Sequence, residues 1–148
     1  GLLISRGARR EQIIQNLYQS RFLSTLKLWG RVLSRLNNDL NDKVIWSVLS
    51  TTDFLETSTN PDELPDVVEE LIVSMPKTEV IVLIFEDKRG ELSEVKVMVY
   101  AVKNRDAVFI SRKFNPTGNK DLAKFVLTGI TLAEAEKQVI EEVKKQLI

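Results

Sequence analysis

Residues 79–87 read EVIVLIFED, and residues 92–102 read LSEVKVMVYAV. The first is an unbroken apolar run between acidic ends, rich in Val and Ile. It is too short for a globular helix and reads as a strand covered on both faces. In the second, Val95, Val97, Val99 and Ala101 alternate with Lys96, Met98, Tyr100 and Val102. A period of two predicts a strand with one face more exposed than the other. Lys88-Arg89-Gly90-Glu91 supplies a glycine-bearing turn between them, so the pair reads as an antiparallel hairpin.

Working upstream, residues 43–50 (KVIWSVLS) form a β-branched and aromatic run, a further strand. Before it, Ile14, Leu17, Tyr18, Phe22, Leu26, Trp29, Leu33, Leu36 and Leu40 recur at steps of three and four residues. That stripe predicts a long helix over 9–40, punctuated by Asn37-Asn38-Asp39 and Asn41-Asp42. Leu2, Leu3 and Ile4 followed by Gly7 resemble the last turn of another helix with a glycine cap. The chain is therefore expected to be cut from something longer. Residues 51–59 are polar and read as a loop. Asn60-Pro61-Asp62-Glu63 offers a cap, a proline and an acid, but Pro65 conflicts with a regular helix begun at Pro61. A tight turn over 61–64 and a helix over 65–75 reconcile them, with Val67, Val68, Leu71, Ile72 and Met75 buried.

Downstream of the hairpin, Asn104 or Asp106 caps a short helix over 107–113, and 115–119 is a turn-rich loop. A short strand follows at 124–128. Thr131-Leu132-Ala133-Glu134 is a capping box opening a last helix with Leu132, Ala135, Val139, Val143 and Leu147 on its apolar stripe. This order predicts an α/β fold: a mixed β-sheet of about four to five strands with helices packed on it, preceded by a long linker helix.

The composition narrows function by exclusion. The 148 residues contain no cysteine and no histidine. That removes disulfides, thiolate nucleophiles, Cys zinc sites, the commonest metal ligand and every Ser-His-Asp or Cys-His arrangement. Self-contained catalysis is not expected. The longest purely apolar run, 80–85, is six residues, so no membrane span is expected, and Leu2 to Ile4 is too short an apolar stretch for a secretory signal. The lack of cysteine fits a reducing cytoplasm, the expected location. Lys and Arg number 21, as do Asp and Glu, but unevenly: residues 1–38 carry +6, residues 39–75 carry −8 and the rest +2. Such blocks either steer a polyanion or cancel within one fold, and cancellation is the simpler expectation.

Candidate chemistry is sparse. Asp62, Glu63, Asp66, Glu69 and Glu70 are the densest acids, but their helical spacing fits a solvated helix start better than a metal site. Asp53, Glu56 and Asp106 sit where nothing pairs them for acid–base work. Asn115 to Asn119, with Pro116 and Gly118, is the one candidate phosphate cradle. Lys103, Arg105, Arg112, Lys113, Lys120 and Lys124 surround it against Asp106 and Asp121, giving +4. Phe114 and Tyr100 stand near enough in sequence to stack on bases, although core packing is the first expectation for Phe114. Trp29 and Trp46 are expected in the core.

The stretch 113–147, KFNPTGNKDLAKFVLTGITLAEAEKQVIEEVKKQL, resembles the C-terminal, DHH-associated substrate domain of DHH-family phosphoesterases. That group includes nanoRNase/oligoribonuclease-type and exopolyphosphatase-like enzymes. Phe114, the loop 115–119, Ala123 and the strand around Phe125 fall in register with the family's aromatic residue, glycine run ending in histidine, alanines and strand. EVKVMVYAV takes the place of a family strand reading roughly V-K-V-S-L-R-S, with Lys96 matching. STLKLWGRVLSRL (24–36) and VIWSVLSTTDF (44–54) are similar to the linker helix and first strand of that domain. The resemblance implies three segments: 1–8 as the tail of a missing N-terminal catalytic domain, 9–41 as the linker helix, and 42–148 as the DHH-associated domain.

Of the glycine run only Gly118 remains. Asn119 stands where the family has histidine, and Tyr100 where it has arginine. The resemblance implies a substrate-binding domain for a phosphate-bearing ligand, a short oligonucleotide or dinucleotide. Lys96, Tyr100, Arg105, Gly118, Asn119 and Lys120 are the expected substrate-side residues, with no catalytic or metal-binding residue in this chain. Manganese or another divalent metal is expected in the absent DHH domain, which is also the expected partner. The alternative is a domain that has lost ligand binding and serves assembly or regulation, its +6 and −8 segments pairing between two copies in a homodimer or with the missing domain.

Overall fold

A computed structural model describes residues 23–89 and 94–148. The expected helix tail at 1–8, the expected helix over 9–22 and the turn glycine Gly90 lie outside the described residues. Along the chain run α1 (residues 23–34), β1 (Asn37–Asp39), β2 (Val44–Leu49), α2 (Thr51–Thr57) and a 3-10 turn (Pro61–Glu63). Then come α3 (Leu64–Ser74), β3 (Val80–Asp87), β4 (Glu94–Ala101), α4 (Ala107–Ile110) and a second 3-10 turn (Arg112–Phe114). β5 (Thr117–Gly118), β6 (Leu122–Leu127) and α5 (Leu132–Leu147) complete the described chain.

The hairpin β3–β4 is the centre of a mixed sheet with strand order β1-β2-β3-β4-β6-β5. β2 and β3 are parallel, because the chain crosses between them through α2 and α3; every other pair is antiparallel. β3 is buried at all positions except Glu86, as its unbroken apolar run requires. Val80, Val82 and Ile84 face α4 and α5 together with Val95, Val97, Val99 and Phe125. Ile81, Leu83 and Phe85 face the other way and pack with Leu28 and Val32 of α1, Phe54 of α2, and Leu64, Val67, Val68 and Leu71 of α3. Two separate apolar layers thus flank one sheet, each fully buried Val, Leu or Ile contributing about 1.5–3 kcal/mol.

The α/β class and mixed sheet expected from the sequence are present, but the sheet has six strands rather than four to five. The two additional strands are short and polar. Asn37–Asp39, expected to finish the long helix, pairs antiparallel with β2 instead, and α1 stops at residue 34. Leu40, Asn41 and Asp42 turn the chain back with φ of 53°, 58° and 68°, a left-handed run that Asn and Asp tolerate. Thr117–Gly118, expected as loop, pairs with β6, whose start lies at Leu122 rather than Lys124.

Residues 51–59 are mostly helix rather than loop. Asp53 accepts from the Ser50 N–H at 2.8 Å, closing the first turn of α2. The same carboxylate is buried and paired with Arg31 and Arg35 of α1, while Arg31 also pairs with Glu56. Here the +6 and −8 segments meet inside one chain. Burial alone would push the Asp53 carboxyl up, but the Ser50 N–H and the Arg35 guanidinium outweigh it and hold the group below the ordinary carboxylate range. Ser47, an otherwise odd residue in a buried strand, donates to the Val32 carbonyl at 2.9 Å and ties β2 to α1.

The remaining elements follow the sequence closely. The tight turn at Pro61 is the 3-10 turn, capped by Asn60, and α3 begins one residue before Pro65. Ile72, expected on the buried face of α3, is partly exposed. Asp106 caps α4 by accepting from the Phe109 N–H, and Thr131 caps α5 by accepting from the Glu134 N–H. Trp46 packs against the α4–α5 layer and donates its indole N–H to Glu136 at 2.8 Å. Trp29 packs on the opposite layer. No helix of the described residues is long and apolar enough to cross a membrane.

Candidate functional site

α2 and α3 cover the sheet where they cross from β2 to β3. Farther along the same face, toward β5, cover thins out, and a cleft of about 620 Å³ opens between the sheet and the 3-10 turn at Pro61. That volume lies within the range of small-molecule sites. Strand register builds its floor. Phe85 of β3 lies opposite Lys96 of β4, which lies opposite Val126 of β6. In the next rung, Met98 of β4 lies opposite Lys124 of β6, which lies opposite Thr117 of β5. Pro61, Asp62 and Pro65 form one rim, and Arg89, just after β3, closes the end.

The polar groups of the cleft converge on Asp87. Its carboxylate is 5% exposed and accepts from Arg89 Nε at 3.0 Å, Arg89 Nη2 at 3.0 Å and Lys96 Nζ at 3.0 Å. The Arg89 backbone N–H adds a fourth bond at 3.1 Å, an Asx-type turn that folds Arg89 back over the strand end. The Arg89 hydrogen bonds, reinforced by Lys96 and opposed by burial, hold the Asp87 carboxyl well below the usual carboxylate range. Arg89 reaches onward to Asp62 at 3.2 Å, and its own protonated form is further favoured. Lys124 is exposed and makes no ion pair among the described residues. Three cations and two carboxylates leave the cleft at +1.

The six expected substrate-side residues separate. Lys96 lines the cleft. Tyr100 lies on the same face of β4, four residues along, half-buried, with its hydroxyl 3.8 Å from Met98 Sδ. Burial, with Glu69 nearby, pushes its phenol up to about 12, so it stays neutral and un-nucleophilic at ordinary pH. Gly118, Asn119 and Lys120 form the turn from β5 to β6. A Cβ on Gly118 would lie 2.1 Å from the Leu122 carbonyl oxygen, and φ is +123°, so the hairpin itself requires glycine. Asn119 uses its side-chain oxygen to accept from the Asp121 and Leu122 N–H groups. The Lys120 carbonyl accepts from the Ala107 N–H at 2.7 Å, and its side chain is exposed. Arg105 pairs with Glu79 at 3.1 Å, beside the start of β3 and away from the cleft.

Arg89 and Asp87 were not singled out by sequence reasoning, and Asp62 was read only as one of the acids of a solvated helix start. The hairpin register carried a usable signal: Asp87-Lys88-Arg89 at a strand end favours an Asx turn, and the alternation of β4 aims Lys96 at the same point. Phe114, expected in the core, is half-buried: it stacks on Phe125 with centroids 4.7 Å apart at the edge of the α4–α5 layer. Among the described residues no three Asp, Glu, His or Cys side chains gather closely enough to hold a metal ion. Asp62 and Asp87, the carboxylates of the cleft, both face Arg89. The arrangement can bind and orient an anion; it offers no activated nucleophile.

The fold has a counterpart among solved structures. The crystal structure of an exopolyphosphatase-related protein from Bacteroides fragilis superposes with a TM-score of 0.68 at 18% sequence identity, covering 98% of this chain and 42% of that one. The likeness shows the fold. The chain spans less than half the length of that protein. An uncharacterised protein from Helicobacter pylori G27 aligns over 83% of this chain and 30% of its own, at 13% identity and a TM-score of 0.43, too loosely to carry weight. No family model matches the sequence, and no curated protein matches it.

Proposed function

We propose that this chain is the C-terminal substrate-binding domain of a DHH-family phosphoesterase-like protein, and that its cleft grips the phosphates of a short oligonucleotide or dinucleotide. One observation carries the reading. Lys96, the residue that matches the family strand, meets Arg89 and Lys124 in a cleft of about 620 Å³ on the open part of the sheet. The fold shared with an exopolyphosphatase-related protein supports it. Anions are drawn by these cations, and Asp87 keeps Arg89 and Lys96 aimed into the cleft rather than free in solvent. Positioning is the contribution of this chain. Hydrolysis, with manganese or another divalent metal, belongs in the proposal to a DHH domain preceding it.

Weight shifts within the expected site. Gly118 and Asn119 are occupied by the β5–β6 turn, and Arg105 by Glu79, so Lys96 is the residue of the six on which phosphate binding rests. Tyr100 lies farther along the same face of β4, and Lys120, in the β5–β6 turn beside Ala107, stands away from the cleft. The test is calorimetric titration of a 5′-phosphorylated dinucleotide against the chain and its Lys96→Ala/Lys124→Ala variant. The expected result is salt-sensitive binding that the variant weakens about ten-fold or more. Equal binding by both, unmoved by salt, contradicts it.

A second reading, a domain kept for assembly or regulation, draws on the loss of charge at Tyr100 and Asn119. Arg31 and Arg35 are already paired within the chain, which leaves them less to offer a second copy. Sedimentation at low and high salt separates the readings: a salt-sensitive dimer favours assembly.

A further inference from the structure

A second cavity of about 250 Å³ adjoins the cleft and shares Pro61, Asp87 and Arg89 with it. Thr51, Phe54 and Leu55 of α2 form its far wall. Phe54 meets Phe85, a floor residue of the cleft, edge-on, with centroids 6.1 Å apart and rings at 76°. The two cavities therefore lie on either side of one partition: the aromatic pair below and the Arg89–Asp62 bridge above.

We infer that the second cavity is a nucleobase subsite for the ligand whose phosphate sits in the cleft. The inference rests on the phosphate reading above and deepens it. Charge is the first reason. The cleft carries +1, whereas Glu86 and Asp87 balance Lys88 and Arg89 around the second cavity. A ligand spanning both is anionic at one end and neutral at the other. A polyphosphate is anionic throughout, and Asp62, exposed where the two cavities meet, repels its continuation.

An unmet hydrogen bond is the second reason. The Thr51 hydroxyl is buried and has no partner among the described residues. Buried hydroxyls ordinarily have one. Turned about χ1 toward the cavity that Thr51 lines, it can pair with a base edge, which carries both donors and acceptors, and not with an aliphatic chain. The third reason is Leu55, which lines the same cavity and stands 74% exposed. A planar ring laid against it removes apolar surface from water. The subsite thus selects a nucleotide over inorganic phosphate chains.

The test compares inorganic phosphate, ribose 5-phosphate and adenosine 5′-monophosphate as probes of the intact chain by calorimetry and methyl NMR. Adenosine 5′-monophosphate is expected to bind about ten-fold or more tighter than the other two, and to shift the Thr51 and Leu55 methyl signals, which they leave in place. Thr51→Val, which keeps the shape and removes the orphaned hydroxyl, and Leu55→Asn, a neutral change at an exposed position, are each expected to cut that preference about three-fold or more without changing phosphate affinity. Lys96→Ala is expected to weaken all three probes. If phosphate binds and the nucleotide binds no better, the subsite is overturned while the phosphate cleft stands. If the preference exists but survives both variants, the base sits elsewhere and the subsite is overturned. If no probe binds, the phosphate reading falls and the subsite with it.

Discussion

Gly118 shows how one residue answers to geometry before chemistry. With φ at +123° and a carbonyl oxygen 2.1 Å from where a Cβ would stand, it is fixed by the β5–β6 hairpin. Gly118→Ala is therefore expected to cost about 1–3 kcal/mol in urea denaturation, whether or not a phosphate approaches the turn. Asp87 makes the complementary case. Its folded carboxyl is held below the ordinary value by Arg89 and Lys96, so it contributes stability that is fully present above the unfolded pKa. That contribution is lost as pH falls from about 4 toward the lower folded value. Denaturation of wild type and Asp87→Asn at neutral and acid pH checks the sign: the gap between them should be widest near neutrality and shrink below about pH 4. A gap that is constant with pH would remove Asp87 from its charged role.

Among the elements, α1 and α2 are joined by the buried Asp53. Removing the acid and removing its partners should have unequal effects. Asp53→Ala frees two arginines that already reach solvent and loses a helix-start bond, an expected cost of about 1–2 kcal/mol. Arg31→Ala with Arg35→Ala strands a buried carboxylate and should cost about 3 kcal/mol or more. Thermal or urea unfolding of both variants measures the difference, and a reversed order would contradict the assignment. α2 also shows where sequence legibility stops. Its apolar residues are too few to set a period, and Thr51, Thr52 and Thr57 disfavour helix by propensity. What makes it helical is Asp53, held by Ser50 behind it and by two arginines some twenty positions upstream. β1 and β5 were illegible for a related reason. They have no apolar alternation, and only pairing with β2 and β6 makes them strands. The long periodic or apolar elements, β2, β3, β4, α3 and α5, carry their signal locally and were legible to within a few residues.

At the scale of the whole molecule, sequence distance is the obstacle to reading the site. Lys96 was legible because it matches the strand of the family that the sequence resembles, in a stretch whose alternation predicts a strand. The residues it meets stand at 62, 87, 89 and 124, and only the strand order β3-β4-β6 with the crossover through α2 and α3 brings them to one cleft. Part of the +6 and −8 segments pairs on the same scale: among the described residues, Arg31 and Arg35 meet Asp53 and Glu56 across the α1–α2 contact. What remains for a ligand is the open end of the sheet. Amide chemical-shift mapping of the chain with a 5′-phosphorylated dinucleotide examines this most directly. The perturbed amides are expected to concentrate at Arg89, Lys96, Thr117 and Lys124. Perturbations concentrated at Arg105, Asn119 and Lys120 with the cleft silent, or no perturbation at all, would contradict it.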